Sequence, residues 1–269
     1  MSELAGSPAA PAGSFDGVAG SAHDRARTEF GLSGGFLPSE GPRPIDATTA
    51  VATFVVSWIV AQLISSLVIA ALGAGDAATE VSFGVVAVAL IGAWSSYLAG
   101  LVIASRRAGS GDVVADYGLS FRASDIVGLG IGVVAQLVVI RAVYLPLEAL
   151  WPDTFTDDRL TENAKDLVDR AGGASTMLLV LVVVIGAPFV EELLYRGLLQ
   201  RSLVDRFDEG VVLVGVAALF AAVHFRPVEF PGLFVFGLIL GWAALRTRRL
   251  GLAIAIHVGF NATGLALVL

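Results

Sequence analysis

The chain lacks cysteine, has one lysine, and is poor in charged residues of either sign. Without cysteine, disulfide bonds and cysteine-ligated zinc sites are excluded, and cysteine usage says nothing about the compartment. Charged residues make up 15% of the chain, against roughly 25% in soluble domains. The net charge of -7 is modest and acidic, which argues against a nucleic-acid partner.

Hydrophobic residues, in contrast, make up 56% of the chain, and the mean hydropathy is +0.80. Several apolar runs reach the ~20 residues that a helix needs to cross a bilayer core. Only helices and closed barrels satisfy their backbone hydrogen bonds in lipid. These runs are continuous and do not alternate as barrel strands do. The sequence therefore predicts an all-α, polytopic transmembrane helical bundle.

The N-terminal segment has a different composition, rich in alanine, glycine, serine and proline. It lacks the apolar core of about 7–15 residues that defines a signal peptide. We predict a disordered cytoplasmic tail over residues 1–45 and a transmembrane helical domain over residues 46–269. His23 lies in the tail and is expected to have no chemical role.

Seven apolar stretches are candidates for membrane spans. The fifth and sixth are short, so six or eight spans remain alternatives to about seven. Three glycines, Gly128, Gly130 and Gly132, lie inside the third stretch, where they favour close helix packing over a phosphate-binding loop. The stretches are Ala50–Leu72, Val81–Ser105, Ile126–Leu150, Thr176–Gln200, Val211–Phe225, Phe230–Leu245 and Leu250–Leu269.

Arginine is unevenly distributed among the segments that connect these stretches, which predicts the orientation of the chain. The tail and the connections after spans two, four and six are rich in arginine, whereas the connection after span one, with Asp76 and Glu80, has none. The loop from Trp151 to Gly173 has more acids than bases. The N-terminus should therefore be cytoplasmic and the C-terminus outside. The arginines of the tail and of these three rich connections are Arg25, Arg27, Arg43, Arg106, Arg107, Arg122, Arg201, Arg206, Arg246, Arg248 and Arg249.

Two adjacent glutamates lie within the fourth apolar stretch. A charged residue at the bilayer centre costs at least ~2.5–3.5 kcal/mol, so its presence needs a reason. Glu192 and Arg196 are four residues apart, which places them on one helix face where they can pair. Glu191 projects about 100° away from Glu192 and remains free to face a cavity.

Two histidines lie in the later apolar stretches. His257 and Asn261 are four apart and share a helix face, and Phe220 lies one turn before His224. Each feature alone fits polar contacts that hold helices together. Together, a free carboxylate, two histidines and an asparagine on successive helices suit the activation of water.

The three motifs resemble the signature of the CAAX prenyl protease type II and bacteriocin-processing (CPBP, Abi) family of intramembrane peptidases. Glu-Glu-x-x-x-Arg begins at Glu191, Phe-x-x-x-His at Phe220 and His-x-x-x-Asn at His257, in that order. The resemblance extends over about residues 117–269, since Tyr117-Gly118-Leu119 is similar to the segment that precedes the family's core.

The resemblance implies an intramembrane endopeptidase. Glu191 would be the general base that activates water, with His224 assisting. His257 and Asn261 would hold the developing oxyanion. A membrane-associated peptide or protein would be the substrate, with the lipid bilayer as the other partner and no nucleic acid. We expect an integral protein of the bacterial plasma membrane.

The other two matched residues, Glu192 and Arg196, would orient the site. Family members are described both as metallopeptidases and as metal-free glutamate peptidases. One glutamate with two histidines is a known zinc set, but the chain has no His-Glu-x-x-His. We therefore expect no cofactor, with zinc as the alternative. Two other function classes stay open, a polytopic membrane transporter and a non-catalytic membrane scaffold; the sequence shows no internal repeat of the kind common in transporters.

One feature of the predicted geometry is in tension with a shared site. Counting residues puts Glu191 near the cytoplasmic end of its span and His224 roughly 20 Å from the start of the next. Glu191 and His224 meet only if the fifth span tilts, starts deeper in the membrane, or is followed by a re-entrant loop.

Overall fold

A computed structural model describes residues 45–72 and 81–269. Tail residues 1–44, with His23, and the residues 73–80, with Asp76 and Glu80, lie outside the described residues. Within the described ranges the chain folds into helices joined by turns. We number the helices α1 (Ala47–Leu72), α2 (Phe83–Ala108), α3 (Val113–Tyr117), α4 (Ala123–Leu150), α5 (157–174), α6 (Ser175–Leu203), α7 (Glu209–Ala222), α8 (Phe230–Thr247) and α9 (Gly251–Ala266), where α5 continues directly into α6.

The all-α transmembrane architecture predicted from the apolar runs is confirmed. Five helices, α1, α2, α4, α6 and α8, are long and apolar enough to cross a membrane. Large hydrophobic side chains on α1 and α4 point away from the protein, where lipid covers them. The two shorter apolar helices are α7, with 14 residues, and α9, with 16.

The structure corrects which spans are short. The prediction named the fifth and sixth, but the sixth forms the 18-residue α8, and the seventh forms the shorter α9. The backbone N–H groups of Leu250 and Gly251, where α9 begins, donate to the carbonyl oxygens of Gly118 and Ser120, and the helix ends at Ala266.

The acidic segment Trp151–Gly173 is not the loop that the charge count suggested. Most of it forms the first part of α5, an amphipathic helix whose apolar residues pack against the start of α2, with Ala171 buried beside Phe83 and Ala87. Gly172 adopts φ 54°, which kinks the helix before it continues into α6. The acids face outward on this helix because its apolar positions recur every three or four residues.

α6 is the central helix of the fold. Within an apolar stretch of 18 residues on α6, 44% of the residues are buried, against 11% in the corresponding stretch of the outer helix α1. It contacts α1, α2, α7, α8 and α9. Because it is surrounded, polar side chains on α6 meet other helices and are shielded from lipid.

Close packing of α9 against α4 fixes the depth of the polar residues on α9. A methyl group added to Gly128 would lie 2.8 Å from Ala255, and one added to Gly259 would lie 2.8 Å from the Cα atom of Leu129. Glycine alone permits this approach, so the prediction of close packing is confirmed for Gly128 and Gly132 but wrong for Gly130, which faces open space.

Candidate functional site

The two adjacent glutamates lie in the middle of α6. About 12 residues, or roughly 18 Å, separate Glu191 from the end of the helix at Leu203. The position of Glu191 relative to the cytoplasmic side of the membrane stays a prediction. The Phe220 ring contacts the rings of both His224 and His257, and His257 faces Glu191, so α7 does bring His224 to the neighbourhood of the glutamates. Stretches of π-helix, Val180–Gly186 and Leu193–Gln200, flank the turn that carries the glutamates, and such wide turns are frequent at functional sites.

Glu192 and Arg196 form the ion pair that their spacing predicted. Nη1 of Arg196 lies 2.9 Å from Oε1 of Glu192, and both side chains are fully buried. Nη2 of Arg196 donates to the carbonyl oxygen of Gly237 at 3.1 Å. The guanidinium also lies 4.7 Å from the centre of the Phe220 ring, a cation–π distance. Arg196 therefore connects α6 with both α7 and α8.

His257 lies between the two glutamates. Its Nδ1 is 2.9 Å from Oε1 of Glu192, and its Nε2 is 3.8 Å from Oε2 of Glu191. A carboxylate paired with arginine accepts hydrogen bonds, so Nδ1 of His257 is the donor. The four side chains thus form one continuous polar chain, Arg196–Glu192–His257–Glu191, across α6 and α9.

Exposure distinguishes the two glutamates. The Glu191 side chain is 27% exposed, whereas that of Glu192 is 0% exposed. The neighbouring positions differ because the helix rotates by about 100° per residue. Of the two carboxylates, only that of Glu191 is accessible to a water molecule or a substrate.

Two phenylalanine rings fix the orientation of the His257 ring. Phe220 lies 6.0 Å and Phe236 5.2 Å from the imidazole centre, both nearly perpendicular to it. Edge-to-face contacts of this kind are favourable and directional. The imidazole is therefore held edgewise with Nε2 toward Glu191.

His224 is at the C-terminal end of α7, in the turn beyond Ala222. Its Nδ1 lies 2.7 Å from the carbonyl oxygen of Phe220, and its ring lies 4.9 Å from the Phe220 ring. A carbonyl only accepts, so Nδ1 carries the hydrogen and Nε2 is free. Phe220 thus contacts both histidines, although no hydrogen bond joins His224 to Glu191 or His257 within the described part of the chain.

A third carboxylate lies close to His224. Burial raises the pKa of Glu229 above its ordinary value, in spite of the opposing charges of Arg226 and His224. Arg226 lies 3.6 Å from Glu229. The turn after α7 therefore carries charged side chains next to His224.

Asn261 is held by the segment that precedes the glutamates. Its Nδ2 donates to the carbonyl oxygen of Val183 at 2.8 Å. An amide carries two N–H hydrogens, so the second remains for another acceptor. The structure places Asn261 one turn after His257 on α9, as predicted, but gives the two side chains different partners.

Three residues near the site had no signal in the sequence. Phe236 packs on His257, Glu229 lies beside His224, and Tyr97 on α2 is close enough to Glu191 for their charges to interact. Phenylalanine and tyrosine are common in apolar helices, so only their three-dimensional neighbours distinguish these two. Glu229 lies in the short connection between the fifth and sixth apolar stretches, which contains none of the three motifs.

The residues with metal-binding capacity are not grouped as a three-ligand site. Glu191 and Nε2 of His257 face each other, and Nε2 of His224 is free. Over residues 45–72 and 81–269, however, no three His, Asp or Glu side chains surround a common point.

Comparison with known families gives one match. A model of the family described as "Type II CAAX prenyl endopeptidase Rce1-like" matches residues 173–263. The matched region contains all six predicted site residues and runs from the residue after the Gly172 kink to Thr263 on α9. No curated protein and no solved structure matches the chain significantly.

Proposed function

We propose that the protein is an intramembrane endopeptidase in which Glu191 activates water, because residues 173–263 match the model of the type II CAAX prenyl endopeptidase family. The observation that carries this proposal is the contrast between the glutamates. Glu191 is partly exposed and faces a histidine nitrogen at 3.8 Å, whereas Glu192 is fully buried in an ion pair. A general base must reach its proton donor, and only Glu191 is placed to do so.

In the proposed reaction, the Glu191 carboxylate takes one proton from a water molecule. The resulting hydroxide attacks the scissile carbonyl carbon and forms a tetrahedral oxyanion. When the C–N bond breaks, the proton held by Glu191 passes to the leaving amine. The products are one new carboxylate and one new amine, so the water is fully accounted for.

His257 and Asn261 would stabilise the oxyanion. With both ring nitrogens protonated, His257 donates to Glu192 through Nδ1 and offers Nε2–H to the developing charge. The buried Glu192 carboxylate accepts the Nδ1–H hydrogen bond and so holds the ring in place, as a carboxylate does for a catalytic histidine elsewhere. The second amide N–H of Asn261 is the other available donor. Preorganised donors of this type contribute about 2.7–4 kcal/mol each to transition-state stabilisation.

His224 would assist from the other side of Phe220. Its Nδ1–H donates to the Phe220 carbonyl, so Nε2 is the ring nitrogen left to accept a hydrogen bond. An acceptor in this position orients the attacking water through a hydrogen bond. His224 therefore has the opposite role from His257, which is a donor.

A zinc-dependent reaction is the alternative, with Glu191, His224 and His257 as ligands. Zinc would supply a water of lowered pKa and a Lewis acid. Two of these residues face one point, but the third is not grouped with them. We keep the metal-free reaction because the chain has no His-Glu-x-x-His motif, and no step of the reaction above depends on a metal.

The proposal is tested by hydrolysis of a membrane-inserted peptide. Candidate substrates are the membrane-associated peptides that accumulate when the gene is deleted. Purified wild-type protein in liposomes should cleave one of them, and mass spectrometry should identify the new carboxyl and amino termini. Glu191→Gln should not cleave it, whereas Glu162→Gln, an exposed acid on α5, should cleave at the wild-type rate. Full hydrolysis by Glu191→Gln would contradict the proposal.

A further inference from the structure

The turn that carries His224 contains a strained residue. It connects α7 to α8, and Phe225, the residue after His224, adopts φ 53°. A phenylalanine in this left-handed region costs of order 1–3 kcal/mol and persists only when its surroundings fix it. The Phe225 side chain is mostly exposed, and its ring lies 6.2 Å from that of Trp58, so the buried support of the turn comes from other residues around it.

The main buried support of this turn is Tyr144 on α4. The Tyr144 side chain is buried, and its hydroxyl donates to the carbonyl oxygen of Val228 at 2.8 Å. The same hydroxyl accepts from the backbone N–H of Gly232 at 3.2 Å. Gly232 is in the first turn of α8, where backbone N–H groups have no partner within the helix. One hydroxyl therefore connects the end of the His224 turn with the start of α8.

The packing around this hydroxyl is close enough to be specific. A methyl group added to Gly232 would lie 2.9 Å from Cε2 of Tyr144, so a larger residue would displace the ring. On the other side, the Tyr144 ring packs 5.9 Å from that of Phe155. The phenol is thus confined on both faces, and its hydroxyl has a fixed position.

A second attachment of the turn lies at the surface. Arg226 donates to the side-chain oxygen of Asn163 on α5 at 2.5 Å and lies 3.6 Å from Glu229. The Arg226 side chain is 41% exposed, and exposed polar contacts contribute little to stability. The hydroxyl of Tyr144 is therefore the stronger of the two attachments.

We propose that Tyr144 is a positioning residue that acts through His224, an inference that rests on the role proposed for His224 above. The Phe220 carbonyl accepts from the His224 ring on the α7 side. The Tyr144 hydroxyl donates to the backbone of Val228, where the turn approaches α8. Without the hydroxyl, the strained turn relaxes and Nε2 of His224 leaves the place where it orients water. The fold survives, because α4 and α8 still pack through the ring.

The experiment compares Tyr144→Phe with Tyr117→Phe. Tyr117 is equally buried, and its hydroxyl also donates to a backbone carbonyl, but that of Leu101 on α2 at 2.6 Å and not one in the turn of His224. Both variants should lower the melting temperature by a similar few degrees. Only Tyr144→Phe should lower kcat, by about tenfold or more, with KM near the wild-type value. An equal loss of kcat in both variants would reduce Tyr144 to a structural residue.

A double variant tests whether the effect passes through His224. In a His224→Ala background, Tyr144→Phe should cause no further loss of kcat, because the group that it positions is gone. A full additional tenfold loss would overturn the proposal.

A third measurement is independent of activity. The chain has three histidines, so ¹⁵N-histidine labelling gives three rings to follow, with His224 assigned from His224→Ala. Tyr144→Phe should move or broaden the His224 signals and leave those of His257 in place, and Tyr117→Phe should change neither. Unchanged His224 signals in Tyr144→Phe would refute the positioning role. If these signals change but the wild-type protein hydrolyses no peptide, the positioning stands and the proposed peptidase function fails.

Discussion

Nδ1 of His257 lies 2.9 Å from Oε1 of Glu192, so the second glutamate of the pair is the one that holds the histidine. The same oxygen also accepts from Arg196 at 2.9 Å. Glu192 therefore joins a structural ion pair to a proposed catalytic ring, and its buried charge serves both. Nε2 of the same ring lies 3.8 Å from Oε2 of Glu191, the residue that precedes Glu192.

Replacing Glu192 should cost stability. Glu192→Gln leaves the fully buried Arg196 without a counter-charge, and an uncompensated buried charge typically costs about 3–5 kcal/mol. The melting temperature in detergent should fall markedly. The double variant Glu192→Gln with Arg196→Met removes both charges and should recover part of the loss. A double variant that melts lower than Glu192→Gln would show that the two residues are not coupled as described.

The Phe220 ring should matter for turnover beyond its contribution to packing. Phe220→Leu keeps an apolar side chain but removes the edge contacts to His224 and His257. We expect kcat to fall on the order of 10- to 100-fold, the scale of small misplacements of reacting groups. Phe54→Leu is the matched control, because Phe54 is a buried ring against Tyr195. That variant should lose similar stability and keep its turnover, and equal turnover in the two variants would contradict the role of Phe220.

Much of this architecture could be predicted from the sequence, because lipid imposes long apolar helices. The ion pair of Glu192 with Arg196 followed from their four-residue spacing, and close packing at Gly128 and Gly132 followed from their place in an apolar helix. The contact of His257 with Glu192 did not follow, since it depends on the depth of α9 against α6. Helix α5 was missed because its acids were counted as loop charge, while its apolar face was not considered.

Metal dependence is open to a direct test. Because His224 is not grouped with Glu191 and His257, we expect purified protein to contain less than one metal ion per chain and to retain turnover in chelator. Metal analysis before and after chelation, beside an activity assay, measures both quantities. One tightly bound zinc per chain, with activity lost on its removal and restored by its return, would establish the alternative.

The orientation predicted from arginine can be checked by reporter fusions. A reporter after Leu269 should be outside, and one inserted between Leu203 and Glu209, in the turn after α6, should be cytoplasmic. The positive-inside bias at every crossing is the reason. The opposite pair of locations would reverse the orientation while leaving the site geometry unchanged.

The division of labour between the two glutamates is tested most directly by measuring turnover and melting temperature together for Glu191→Gln and Glu192→Gln. Glu191 is partly exposed and has no arginine partner, so Glu191→Gln should abolish hydrolysis and melt close to the wild-type temperature. Glu192→Gln should melt clearly lower and lose turnover as well. If Glu191→Gln melts early while Glu192→Gln is stable and inactive, the two roles are reversed and Glu191 is not the base.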